Sequence, residues 1–171
     1  IATKKVPLST SFEIEVGEVL AAVDECTKII FICSPNNPSG NKISRQSIYQ
    51  ILTNFDGLVV IDEAYIDFSD EPSFSLELNH YPNMLVMQTL SKAWGLAALR
   101  LGMAYASKEI IGILNKIKPP YNISGLTQET VLNALSNTKL LEDMVKEILV
   151  QKEKLILALE EIPEVEKVYP S

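Results

Sequence analysis

Residues that bind metals or relay protons are scarce in this sequence. Its 171 residues include one histidine, His80, and two cysteines, Cys26 and Cys33. A zinc site needs several such ligands at short spacings, and a Ser-His-Asp or Cys-His relay needs a histidine that faces a nucleophile. Neither can be assembled here, so we expect no bound metal. We expect His80 to lie in a loop and both cysteines to be reduced, buried small hydrophobic residues.

Positive charge is scarce too, with 15 Lys and Arg against 22 Asp and Glu, a formal net charge of −7 and a pI of about 4.8. The chain has no basic stripe of the kind that binds nucleic acid. No apolar run reaches the roughly 18 residues that predict a membrane span, and no Gly-rich dinucleotide or P-loop occurs. We therefore expect a small-molecule partner, not nucleic acid or membrane. Two cysteines without a signal sequence are typical of a cytoplasmic enzyme.

Short apolar runs alternate with helical patterns along the chain, and the 47% hydrophobic content is enough for one substantial core. The runs predict strands near 4–8, 28–33, 57–62, 84–89 and 101–106, with a loop at 68–83. Helices are predicted at 44–53, with Ser44 as N-cap, at 108–116, from about 126, and at 140–161 with one buried apolar stripe. This alternation predicts an α/β fold with three layers, α/β/α, and a mostly parallel sheet.

Lys92 is the most informative residue. It lies in a small, apolar, glycine-bearing segment, with Thr89 and Ser91 before it and Arg100 after it. Desolvation of a lysine favours its neutral amine, which attacks carbonyl groups. Hydroxyls and a guanidinium next to that amine can bind a phosphate. A phosphate beside a carbonyl-reactive lysine predicts pyridoxal 5′-phosphate (PLP) as the cofactor.

Two further blocks place polar residues directly after predicted strands. Asn37 lies in the loop that follows the apolar run 29–33, and Asp62 ends the run 58–61, with Tyr65 three residues later. Catalytic side chains in open α/β sheets gather at the carboxyl ends of the strands. We therefore expect these residues to project from the same sheet edge as Lys92 and Arg100.

In their order and spacing the three blocks resemble those of fold-type I PLP-dependent aminotransferases, and most of all the histidinol-phosphate aminotransferase family. The resemblance covers essentially the whole chain. One departure is Ala98, which stands where the family usually has glycine; a methyl group is the smallest such change, and we expect it to be tolerated.

The resemblance implies roles for the residues around the cofactor ring. Lys92 would bond to PLP covalently and later move the proton between the substrate's Cα and the cofactor's C4′. Asp62 would pair with the ring nitrogen and keep it protonated. Asn37 and Tyr65 would hydrogen-bond the phenolic oxygen. The peptide bond between Asn37 and Pro38 is a candidate for the cis form.

The resemblance also implies phosphate and substrate contacts. Ser91 and Arg100, together with Thr89, would hold the PLP phosphate. Tyr121 and Asn122 match a family loop that faces the substrate. These are expectations from the family and not consequences of spacing alone.

Several of these residues also have simpler interpretations. Asp62 is suited to a turn after its strand, Tyr65 to a core position, and Arg100 to an ordinary ion pair. Asn36 competes with Asn37 for the cofactor role. Glu63, beside Asp62, is expected to be structural or solvated, and Trp94 is expected to pack and not to take part in catalysis.

The family's fold and reaction set the remaining expectations. The protein would be a homodimer in histidine biosynthesis. It would transfer an amino group from glutamate to a phosphorylated imidazole ketone, which gives 2-oxoglutarate and histidinol phosphate, or catalyse the reverse reaction. Residues 1–161 would be the PLP-binding large domain, truncated at its N-terminal side and ending in a linking helix. Residues 162–171 would begin a small domain, with a strand at 165–169. Because family segments that contact PLP phosphate and substrate are missing, we expect the isolated chain to bind PLP weakly and to be inactive.

Alternatives from the same and other classes stay open at this point. An aromatic amino acid aminotransferase and a threonine-phosphate decarboxylase share the lysine and the aspartate. A PLP-sensing domain of a transcription regulator keeps the lysine without catalysis, although it should carry a basic winged-helix segment upstream. An α/β domain with decayed motifs is disfavoured by the intact set of polar residues.

Overall fold

The computed structural model describes residues 1–171, and its centre is one four-stranded sheet in the order β1-β2-β3-β4. The first three strands pair in parallel, and the fourth runs antiparallel to the third. The strands are β1 (Ile29–Cys33), β2 (Leu58–Asp62), β3 (Met84–Thr89) and β4 (Gly102–Ala106). The predicted α/β class with a mostly parallel sheet is therefore confirmed.

Five α-helices accompany the sheet: α1 (Val16–Ala21), α2 (Arg45–Asn54), α3 (Lys108–Ile117), α4 (Gly125–Leu135) and α5 (Thr138–Glu160). The helices predicted from 44, 108, 126 and 140 are all present. Two of them start with a serine cap, since Ser107 accepts a hydrogen bond from the backbone N–H of Ile110 and Ser124 accepts one from that of Thr127. Ser44 occupies the N-cap position of α2 but its side chain makes no capping bond, so that prediction was right in position only.

One face of the sheet carries the core. Alternate residues of a strand point to the same face, and Val59, Ile61 and Val86 are fully buried against α2. From the helix, Ile48 and Ile51 pack into this cluster with no exposed surface. Burying each such side chain contributes about 1.5–3 kcal/mol. The core thus lies between the sheet and α2, and it leaves the carboxyl ends of the strands open.

The opposite face is covered unevenly. Val60 and Leu85 are buried there. Phe31, on the edge strand β1, is 69% exposed. A helix able to span a bilayer, which must be long and continuously apolar, does not occur in the structure.

Two predicted strands were wrong. Residues 4–8 and 165–169 form no strand and do not join the sheet. A strand needs a neighbour for its backbone hydrogen bonds, and Pro7 also lacks the N–H for one of them. Tyr169 instead packs edge-on against Phe12, with 5.0 Å between ring centroids.

Three burial predictions also need correction. The apolar stripe of α5 is present but contains no buried residue. The 3₁₀ turn after β2 contacts α5, and residues 11–13 and 169–171 line a cleft with it. Cys26 is exposed and Cys33 only half-buried, since Cys26 falls in the turn before β1. The segment 68–83 is more than a loop: it contains the 3₁₀ helix Phe74–Glu77, and Phe74 is part of the core. His80 lies in a turn, as predicted.

We predict that Gly57→Ala destabilises the fold by about 1–3 kcal/mol, because overpacking at a rigid site has that cost. A Cβ at Gly57 would lie 2.3 Å from the Phe55 ring and 2.7 Å from the carbonyl oxygen of Lys28. Gly112→Ala is the matched control. It lies within α3 with nothing near its Cβ, so it should stabilise the protein by about 0.5–1 kcal/mol. Urea unfolding of both variants measures the difference, and equal effects would contradict the packing at Gly57.

Candidate functional site

The carboxyl ends of β1, β2 and β3 meet at one edge of the sheet, as the motif spacing predicted. Cys33, Asp62 and Met87 are register partners across the three strands. Just beyond them the backbone N–H of Ser34 donates to the Asp62 carbonyl at 3.0 Å, and that of Glu63 donates to the Met87 carbonyl at 2.8 Å. The loops that carry Asn37, Tyr65 and Lys92 therefore all leave from this edge.

Lys92 lies beside Tyr65, with its Nζ 5.1 Å from the centroid of the tyrosine ring. The side chain of Lys92 is exposed, which corrects the expectation of a desolvated lysine. The apolar neighbours Leu90 and Ala93 turn inward, each about 3% exposed, and the lysine turns outward. Gly95, at φ 67°, closes this turn by donating its N–H to the Lys92 carbonyl at 2.9 Å.

Asp62 is half-buried at the end of β2. Its Oδ1 accepts a hydrogen bond from the backbone N–H of Ala64 at 3.0 Å, so the simpler turn interpretation is correct as far as that oxygen goes. Its second oxygen has no partner within the chain. Burial raises the pKa of the neighbouring Cys33 thiol, and the negative charge of Asp62 adds to the rise, while the backbone N–H of Asn37 opposes it.

Asn37 and Tyr65 line one cleft of about 810 Å³, together with residues 11–13, α5 and the C-terminal residues. The side chains of Asn37 and Tyr65 make no hydrogen bond within the chain. Asn36 is already committed, since its Nδ2 donates to Ser39 Oγ at 2.6 Å, so it no longer competes with Asn37. The peptide bond before Pro38 is cis, as predicted; the bond before Pro35 is also cis, which was not predicted.

The residues expected to bind phosphate differ in whether their side chains are already hydrogen-bonded within the chain. Thr89 Oγ1 is used locally, because it donates to the Leu101 carbonyl at 3.3 Å and accepts from the Ser91 N–H at 3.1 Å. The Ser91 hydroxyl makes no bond within the chain. Arg100 sits at φ 52°, and its Nη1 donates to the Ala97 carbonyl at 3.2 Å. Arg100 forms no ion pair, which removes its simpler interpretation.

The remaining two predicted residues lie apart from this group. Tyr121 is 95% exposed, Asn122 is exposed, and neither side chain makes a hydrogen bond. Both belong to the segment between α3 and α4. Ala98 lies in the 3₁₀ turn Ala97–Leu99 with its methyl group exposed, so the departure from glycine causes no crowding.

Sequence reasoning missed how the two neighbouring polar residues are used. Glu63 is 1% exposed, and its carboxylate accepts hydrogen bonds from Gln88 Nε2 at 2.8 Å and from the backbone N–H of Phe74 at 2.7 Å. Strand alternation was the available signal, because Glu63 must point away from Asp62. Trp94 is half-buried. Burial raises the pKa of Asp67, while hydrogen bonds from the Asp67 backbone and from Trp94 oppose that rise.

The donor set at this edge fits PLP. Every buried polar side-chain atom in the chain has a hydrogen-bond partner. By contrast, several accessible side chains at the edge keep free donors or acceptors, namely Asn37, Asp62, Tyr65, Ser91 and Lys92. An amine, a carboxylate, a phenol and an amide are the groups that a pyridine ring with carbonyl, phenolic and ring-nitrogen substituents requires. The Ser91 hydroxyl and the Arg100 guanidinium are suited to its phosphate.

Known proteins resemble this chain in sequence and in fold. Residues 1–171 match the family described as aminotransferase class I and II. The chain is 55% identical over its whole length to a histidinol-phosphate aminotransferase from Parabacteroides distasonis, and it covers 50% of that protein. The chain thus spans about half the length of the curated relatives it matches.

Solved structures show the same fold. The histidinol-phosphate aminotransferase from Clostridium acetobutylicum superposes with a TM-score of 0.86 at 24% identity, over 95% of this chain and 50% of that one. The enzyme of that name from Sinorhizobium meliloti, in complex with pyridoxal-5′-phosphate, gives 0.79 at 24% identity, over 89% of this chain and 42% of the other.

We predict that Asp62→Asn speeds alkylation of Cys33 at pH 8. The thiolate is the reactive form, and removing the negative charge lowers the pKa of Cys33, which increases the thiolate fraction. Burial is the larger cause of the raised pKa and is retained, so the acceleration should stay below about tenfold, the effect of one pKa unit. Mass spectrometry after iodoacetamide treatment measures the rate.

Exposed Cys26 serves as the internal control and should react at the same rate in both proteins. An unchanged Cys33 rate in the Asp62→Asn variant would contradict an effect of the Asp62 charge on the Cys33 thiol.

Proposed function

Because this chain belongs to the class I and II aminotransferase family, we propose that the protein carrying it uses PLP to transfer an amino group between histidinol phosphate and 2-oxoglutarate. The observation that carries the proposal is the pairing of Lys92 with Tyr65 at the strand edge that also holds Asp62. An uncommitted amine, phenol and carboxylate at one edge are the side chains that PLP chemistry needs.

Bound PLP supplies a carbonyl carbon that takes up the amine and a protonated ring that withdraws electrons from the reacting carbon. Asp62 holds the proton on the ring nitrogen, and its interaction with the Ala64 N–H fixes the carboxylate's orientation for that task. The amine of Lys92 would hold the cofactor at its carbonyl carbon. The same amine, which makes no ion pair within the chain, would be the base that accepts and returns the proton at the substrate's Cα.

Asn37 and Tyr65 donate hydrogen bonds to the phenolic oxygen from the wall of the cleft that they share. The hydroxyl of Ser91 and the guanidinium of Arg100 bind the phosphate. Thr89 contributes indirectly, because its hydroxyl receives the backbone N–H of Ser91 and so orients that residue. The left-handed backbone at Arg100 ends the 3₁₀ turn and brings the chain back into β4 behind the Lys92 segment.

The choice of substrate rests on the relatives. A protein 55% identical to this chain carries the name histidinol-phosphate aminotransferase, and a second from Cytophaga hutchinsonii is 56% identical over 166 residues. Tyr121 and Asn122, which protrude between α3 and α4, are proposed to reach the substrate from this exposed position. Aromatic aminotransferase and phosphothreonine decarboxylase activities have no comparable support.

We also propose how the chain fits into its protein. Residues 1–161 form the large-domain part with α5 as the linking helix, and 162–171 lead into a small domain. A homodimer completes the site, and two unpaired cysteines are compatible with the reducing cytoplasm. The chain spans about half the length of its relatives, and we propose that by itself it binds PLP weakly and lacks activity.

We expect borohydride reduction of the full-length natural protein with PLP to attach the cofactor selectively to Lys92, as mapped by peptide mass. Lys92→Arg should abolish both this attachment and transamination, because a guanidinium does not attack the carbonyl. Lys154→Arg is the matched control on α5, where the lysine is equally exposed and makes no hydrogen bond. Attachment scattered over many lysines in the wild-type protein would refute the proposed function.

A further inference from the structure

Glu63 is a fully buried carboxylate that the proposed chemistry does not use. Only 1% of its surface is exposed, and no lysine or arginine forms an ion pair with it. Three donors satisfy it instead: Gln88 Nε2 at 2.8 Å, the Ser73 hydroxyl at 2.5 Å and the Phe74 N–H at 2.7 Å. Burying a carboxylate is costly unless its hydrogen bonds are complete, so the three contacts hold it in one position.

These contacts join three separate segments of the chain. Glu63 follows the last residue of β2, and Gln88 is the second-last residue of β3. The Glu63 N–H donates to the Met87 carbonyl at 2.8 Å, which is the final ladder bond between the two strands. The Glu63–Gln88 side-chain bond therefore extends the β2–β3 pairing by one position. Ser73 and Phe74 anchor the intervening 68–83 segment to the same point.

The hydrogen-bonded cluster around Glu63 lies directly behind the proposed cofactor residues. Consecutive residues of a strand point to opposite faces. Asp62 and Thr89 thus face one side of the sheet edge, and their neighbours Glu63 and Gln88 face the other, toward the core. Lys92 is only four residues beyond Gln88. A change in the distance between the two strand ends would therefore move Asp62 and the turn that carries Lys92 relative to each other.

We propose that Glu63 is a positioning residue whose carboxylate, through Gln88, sets the separation between Asp62 and the Lys92 turn and thereby the affinity for PLP. The inference rests on the proposed function, since it assigns Glu63 a role toward the same cofactor. Glu63 itself does not touch the cofactor, because it is sealed within the core face. Its effect is geometric: Asp62 and Lys92 address opposite ends of one rigid ring, so their spacing must match it.

The test compares two donors to Glu63 that differ in location. Gln88→Ala and Ser73→Ala each remove one hydrogen bond to the carboxylate. Each also removes the 2.9 Å bond that Gln88 Nε2 donates to Ser73 Oγ, so that loss is common to both variants. Only Gln88 lies on the strand leading to Lys92. In the full-length protein we expect Gln88→Ala to raise the PLP dissociation constant and slow borohydride trapping at Lys92. The trapping rate should fall by up to about 10²-fold, the effect of an ångström-scale misplacement on a reaction rate. Ser73→Ala should leave both nearly unchanged. Melting temperatures show whether the variants lose comparable stability.

An exchange of the two partners gives a second, independent measurement. Glu63→Gln leaves two amides facing each other and Gln88→Glu leaves two carboxylates, whereas the double exchange again sets one donor against one acceptor. We expect each single variant to weaken PLP binding and the double exchange to recover at least part of it. A purely stabilising Glu63 would lower the melting temperature in Gln88→Ala and Ser73→Ala alike without a difference in PLP affinity, and that result would overturn the inference.

The wild-type protein separates this failure from a failure of the proposed function. Wild type that does not trap PLP at Lys92 would refute the function, and with it the inference. Wild type that traps PLP normally, together with Gln88→Ala that binds PLP equally well, would refute the positioning role alone.

Discussion

The parallel pairing of β1, β2 and β3 is the constraint on which the site depends. Its register makes Cys33, Asp62 and Met87 partners, so the three strands end at one level. Each loop with an expected cofactor residue starts at that level. Neighbouring strands lie about 4.8 Å apart, so side chains on successive strands can reach one ligand without any long excursion of the chain. The core between the sheet and α2 stabilises this register from behind.

Because consecutive side chains at the strand ends face opposite sides of the sheet, the residues expected to contact the cofactor lie on one side and the residues that stabilise the fold on the other. Asp62 and Thr89 face the open side, while Glu63 and Gln88 bond to each other on the core side. The polar groups inside the core are fully satisfied, and those at the open edge keep free donors and acceptors. This difference in hydrogen-bond satisfaction distinguishes the polar groups of the open edge from those of the core.

Apolar runs and strand-end motifs sufficed to predict β1 to β4, helices α2 to α5 and the convergence of Asn37, Asp62, Tyr65 and Lys92. Pairing partners could not be predicted from local sequence, so 4–8 and 165–169 were assigned as strands although neither joins the sheet. Burial also depends on tertiary context, and this is why Lys92 proved exposed and the α5 stripe only partly covered. The three bonds of Glu63 come from Ser73, Phe74 and Gln88, which are 10 to 25 residues distant. From the sequence, only the alternation of side chains along β2 indicated that the Glu63 side chain points away from that of Asp62.

The most direct measurement is a crystal structure of the full-length protein with PLP. The account predicts a single cofactor with its ring nitrogen hydrogen-bonded to the Asp62 carboxylate and its C4′ bonded to Lys92 Nζ. Asn37 and Tyr65 should contact its phenolic oxygen, with the Glu63–Gln88 bond intact behind it. A PLP molecule bound to another lysine, or a ring nitrogen that faces away from Asp62, would contradict the claim that the strand ends of this sheet form one cofactor site.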